Sequence, residues 1–125
     1  MGVESKTYQT LANSTALVSV VGTRIYPEHR PDTDSLPAVI FSRAPGGERV
    51  NTLSGYNALE NVIIEIDVYA TAIDARREAG DLVIAAMTGS TRFSCLLPDP
   101  PFDDYDPDTR TYERSLQFSV WNHTT

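Results

Sequence analysis

The chain has 125 residues, 10 Lys and Arg against 17 Asp and Glu, a net charge of -7 and one cysteine. Its length fits a single domain over residues 1–125, able to bury about two-thirds of its unfolded surface without staples. An acidic surface repels phosphate, one cysteine leaves no internal disulfide, and no run approaches the roughly 20 apolar residues of a membrane span. Nucleic-acid grip, a disulfide scaffold and a spanning helix are therefore excluded.

In chain order, Met1-Gly2-Val3-Glu4-Ser5-Lys6 lacks the basic start and apolar run of a signal peptide. Lys6 stands where a myristoylation motif needs Ser or Thr. Residues 4–21 have helical spacing in two pieces. Tyr8, Leu11 and Ala12 share one face of the first. Asn13-Ser14 interrupts, Ser14 caps a second piece carrying Leu17, Val18 and Val21, and Gly22 ends it. Asn13-Ser14-Thr15 and Asn122-His123-Thr124 match the glycosylation sequon and are read as chance matches.

Thr23–Pro27 reads as a short strand closed by proline, and 28–36 as a polar loop. Ala38–Arg43 is a strand apolar on both parities at its centre, with Pro37 tolerable at its first residue. Residues 44–58 form a long connection, read as a hairpin whose strands run past the sheet. Arg49, Val50, Leu53 and Tyr56 on it are candidate interface residues, since a fully solvated loop has no need of the three apolar ones.

The organising stretch follows. In Val62–Ala70, Val62, Ile64, Ile66, Val68 and Ala70 fall on one parity and Glu65 and Asp67 on the other. One face is thereby assigned to a core and the carboxylates to water or an interface. Thr71 and Asp74 suggest an Asp-type capping box. The helix after them is expected to bury Ala72, Ala75, Ala79, Leu82, Val83, Ala86 and Met87, to expose Arg76 and Arg77, and to stop at a left-handed Gly89. Thr91–Leu97 is another strand. Residues 98–109, dense in proline and aspartate, are expected to be irregular. Thr111–Trp121 is the last strand, with Tyr112, Leu116, Phe118 and Val120 opposite Glu113, Ser115, Gln117 and Ser119. The fold class is α+β: a mainly antiparallel sheet with two main helices packed on one face.

Chemistry is sparse. His29 and His123 lie far apart, no Ser occupies a nucleophile elbow, and Cys95 sits inside a strand as a small apolar residue. Gly46-Gly47 meets neither phosphate-cradle pattern. Asp104, Asp106 and Asp108 alternate like the start of a calcium loop, but Thr109 replaces its glycine and Ser115 its closing Glu. No catalytic, cofactor or metal residue is assigned, and no cofactor is expected. Glu65, Asp67, Asp104 and Asp106 join the arm residues as candidate interface positions.

Several stretches in order resemble one known family. They are Thr7-Tyr8-x-x-Leu11-Ala12, Val21–Pro27, Leu36–Phe41, Ile66–Ala70 before a helix, and Tyr105-Asp106 before Phe118–Trp121. The chain is similar to the tail-completion proteins of tailed bacteriophages, which include tail-to-head joining and tail-terminator proteins. The resemblance implies a structural virion protein and no enzyme. It implies an α+β subunit forming a six-fold ring at the head-proximal end of the tail, assembled in the host cytoplasm. Its implied partners are copies of itself, the tail tube protein and a head connector or stopper. DNA would only pass through the lumen, and no membrane is involved. The alternatives are a head-side stopper or adaptor and, from another class, a small enzyme or ligand-binding domain.

Overall fold

A computed structural model describes residues 2–31, 35–46, 49–52 and 55–123, with the backbone alone at 49–52, 55–59 and 123. The elements run α1 (Val3–Ala12), α2 (Thr15–Val21), β1 (Ile25–Pro27), β2 (Ala38–Ala44), β3 (Arg49–Thr52), β4 (Gly55–Ala70), α3 (Ile73–Thr88), β5 (Ser94–Leu96), β6 (Phe102–Asp106) and β7 (Thr111–His123). The class is α+β as expected, with three helices among the described residues. The seven strands form one sheet of order β1-β2-β4-β7-β5, with β3 beside β4 and β6 beside β7. All pairings are antiparallel except β1 with β2.

Register places the short strands. Glu60 faces Asn122 of β7 on one side and Arg49 of β3 on the other, so β3 continues the line of β2. Ser119 faces both Ile63 and Leu96, and Ser115 both Asp67 and Phe102, so β5 and β6 share the outer flank of β7. The sheet is thus five columns wide. Its spine is the β4–β7 ladder from Leu59↔His123 to Ala70↔Tyr112.

The alternation in β4 and β7 does what period-two patterning requires. Val62, Ile64, Ile66, Val68, Leu116, Phe118 and Val120 are buried in one core with Leu11, Leu17, Val21, Val83 and Met87 of the three helices. All helices therefore cover one face. The break between α1 and α2 falls where the sequence pattern puts it: Ser14 Oγ accepts from the Leu17 N–H at 3.3 Å, and Gly22 ends α2 at φ 60°, a conformation open to glycine. The buried face of α1 is Val3, Thr7, Thr10 and Leu11, however, and Tyr8 lies exposed at its edge, tilted against Phe41. The buried threonines satisfy themselves: Thr7 donates to the Val3 carbonyl and Thr10 to that of Lys6, both at 2.8 Å. Asn122 is fully buried, accepts from Lys6 Nζ and donates to Glu60, which leaves its sequon no side chain to modify.

Several expectations are corrected. α3 starts at Ile73 with Ala72 as its cap residue and no side-chain cap bond, so Thr71 and Asp74 form no capping box, and Ala72 is exposed. Gly89 has φ -91°, ordinary right-handed backbone. The buried residues of α3 are Ala79, Gly80, Val83 and Met87. Gly80 is there for space: a Cβ at this position would meet Arg114 Cδ at 2.7 Å. The strand around Cys95 is only three residues long. The segment 98–109 is not wholly irregular, since Phe102–Asp106 forms β6.

One edge of the sheet is partly closed by its own backbone. In β1, Arg24 and Tyr26 face β2, so Ile25 and Pro27 face outwards. The Ile25 N–H is turned back to the Thr23 carbonyl at 2.9 Å, Pro27 has no N–H, and the Pro27 carbonyl accepts from His29 at 2.7 Å.

Candidate assembly surfaces

Among the described residues, no helix or strand covers the face of the sheet away from the helices. Strand register sets its side chains in rows: Ile40–Asp67–Ser115–Phe102, flanked by Tyr69–Glu113–Asp104 on one side and Ser42–Glu65–Gln117 on the other. Glu65 and Asp67 thus stand where the alternation placed them, half-buried on the open face. Ser115 Oγ donates to Asp67 at 2.7 Å and Gln117 Nε2 to Glu65 at 3.2 Å. Burial pushes the Asp67 carboxyl up to about 6; the Ser115 bond opposes this, and the negative charges of Glu65 and Glu113 reinforce it. Among the described residues, no cation lies within ion-pair distance of Glu65, Asp67 or Glu113. Tyr69 is likewise raised, first by burial and then by Glu113 and Asp67.

At the end of this face, Asp104 and Asp106 line a cavity of about 180 Å³ with Arg30, Tyr69 and Glu113. The Arg30 guanidinium lies over the Tyr69 ring, 5.5 Å from its centre. Asp104 and Asp106 also serve their own backbone, accepting from the N–H groups of Tyr105 and Asp108. Among the described residues, no three His, Cys, Asp or Glu side chains are grouped to hold a metal ion.

The β6 strand is fastened through charge. Arg114 grips Asp103 with two bonds of 2.7 and 3.0 Å and holds its carboxyl below the usual range. Arg76, expected on an exposed face, instead reaches from α3 to Asp103 at 3.5 Å and to the Asp104 carbonyl at 3.1 Å. It lies over Tyr112, whose ring packs tilted against that of Tyr105 with centroids 4.6 Å apart. The signal missed in the sequence was Arg114, a cation on the parity otherwise assigned to the core.

The arm predicted over 44–58 is present. β3 and the start of β4 form an antiparallel hairpin, Arg49↔Glu60 to Thr52↔Gly55. Gly55 and Tyr56 pair with Thr52 and Asn51, and among the described residues the last β7 partner of β4 is His123 opposite Leu59, so the hairpin runs past the described β4–β7 ladder. Leu53 lies outside the described residues, as do the side chains of Arg49, Val50 and Tyr56. Cys95 is half-buried, with its thiol pushed up by burial to about 12.

Among the described residues the architecture is a sheet with one helical face, one open face and an extending hairpin. The comparisons identify the kind. The family model described as "Tail completion protein gp17" matches residues 6–123, and the chain belongs to that family. As a member of that family, the protein is a structural virion component of the tail-completion kind rather than an enzyme. Among solved structures, it is similar in fold to a chain of "Virion of native gene transfer agent (GTA) particle". The TM-score is 0.68 at 19% identity, covering 95% of this chain and 92% of that one. No curated protein matches.

Proposed function

We propose that this protein is a ring-forming subunit at the head-proximal end of a phage tail, where it completes the tail and joins it to the head. The family match over residues 6–123 carries this reading. The bare face and the arm support it, because each is a surface that a solitary domain does not need. A closed ring uses one heterologous contact repeated around an axis. Its partners in this reading are its own copies, in the six-fold ring that the family resemblance implies, the tail tube protein and a head connector or stopper. Arg49, Val50, Leu53 and Tyr56 on the arm, and Glu65, Asp67, Asp104 and Asp106 on the open face and its end, are the proposed contacts. DNA crosses the lumen without binding, repelled by a net charge of -7.

The test is electron microscopy of particles made without this protein. Tails of uncontrolled length, or finished tails unattached to filled heads, are the expected outcome. Normal joined particles, or a defect confined to the head, would refute the tail-end assignment.

A further inference from the structure

We infer that β6 is a strap, latched over the outer edge of β7 through Asp103, that lifts and closes as a unit while the core stays folded. The inference goes beyond the tail-end reading and does not rest on it. Three observations converge. Burial does not hold β6 in place: all five of its residues are exposed, Phe102 by 68%, and none belongs to the core. The chain just before it differs, because Cys95 and Leu97 pack against the core and anchor β5.

The side-chain contacts of β6 converge instead on one carboxylate. Arg114 of β7 and Arg76 of α3 both reach Asp103, and Arg76 also donates to the Asp104 carbonyl. The Tyr105 ring, tilted against Tyr112, is itself 42% exposed. Both arginines belong to elements that stay behind when the strap lifts, and each keeps a contact there. Arg114 lies 3.8 Å from Asp81, and Arg76 lies over the Tyr112 ring. The closed arrangement also buries Arg76 Nε without a hydrogen-bond partner among the described residues, a cost that opening to water relieves. The opening unit is bounded as well. Pro100 and Pro101 precede β6 and Pro107 follows it, and none has an N–H with which to extend the ladder.

A strand that buries little and rests on a few near-surface bonds belongs to the low-stability end of a structure. Closed, β6 covers the edge of β7 over Thr111–Ser115 and presents Asp103, Asp104 and Asp106, charges that discourage the addition of another strand. Lifted, it bares that edge. The Asp103 latch therefore sets when the edge is available.

The experiment is residue-resolved amide hydrogen exchange at neutral pH, over a urea series kept below the unfolding transition. Amides of 102–106 are expected to exchange at least about tenfold faster than those of 62–68, through an opening nearly independent of urea. The same rate and the same urea dependence in both segments would overturn the strap, because β6 would then leave only when the whole chain unfolds. Asp103→Asn tests the latch. It should speed exchange at 102–106 by a further factor of about ten, still with little urea dependence. Asp99→Asn removes an equal charge nearby without touching the two arginines, and should leave that exchange unchanged. Equal effects of the two substitutions, or none from either, would overturn the latch. The parent protein gives a second readout that needs no variant. Raising the salt from about 0.05 M to about 0.5 M should speed exchange at 102–106 several-fold relative to 62–68, and an unchanged ratio would overturn a latch made of charge.

Discussion

Asp67→Asn should make the free protein more stable at neutral pH and leave it unchanged in acid. The carboxyl stands at about 6 in the folded chain against 3.8 as its ordinary value. The folded state therefore holds the proton more tightly than the unfolded one. The stability this gives is complete below about pH 4 and is lost as pH rises through 6. A shift of that size corresponds to about 3 kcal/mol at 1.36 kcal/mol per unit. Asp67 is only half-buried, and solvent screening reduces the figure to about 1 kcal/mol. The substituted amide would keep an oxygen for the Ser115 hydroxyl while dropping the charge that Glu65 and Glu113 repel. Urea or thermal unfolding at pH 7.5 should show a gain of about 1 kcal/mol, or about 4 °C for a domain of this size. The gain should vanish at pH 4. A variant no more stable than the parent at pH 7.5, or equally stabilised at pH 4, would refute the reasoning. Ser115→Ala acts in the opposite sense: it removes the hydrogen bond that favours the ionised carboxylate, so its cost should be larger at pH 7.5 than at pH 4.

Gly80→Ala improves helix propensity by about 1 kcal/mol but forces the clamped Arg114 side chain aside. A net loss of about 1 kcal/mol in urea unfolding is expected, with faster amide exchange at 102–106; an Ala variant more stable than the parent would refute the packing argument. Cys95, with its thiol at about 12, should react with a disulfide reagent at pH 8 at least about tenfold more slowly than a free cysteine, and equal rates would refute it.

The parts of the fold that were legible are those set by local pattern. Val62–Ala70 and Thr111–Trp121 alternate, with Arg114 the exception on the core parity, and one face of each is core. Ser14 sits where a helix must restart, and its oxygen caps the new turn. β6 was not legible because nothing local makes Phe-Asp-Asp-Tyr-Asp a strand. It is one because β7 offers a ladder and Arg114 and Arg76 hold Asp103, and both come from distant sequence. The cap at Thr71 failed because β4 runs to Ala70 and the helix opens only at Ile73. Of the candidate contacts, Glu65 and Asp67 share the open face and Asp104 and Asp106 its end, while side-chain placement of the arm residues falls outside the described structure.

The bonded or missing outward N–H groups of β1 have a consequence for growth. A first strand whose outward N–H groups are already bonded or missing is a poor template for added neighbours on that side, the route by which fibrous aggregates propagate. That directs association to the other surfaces of the subunit, the open face of the sheet and the hairpin among them.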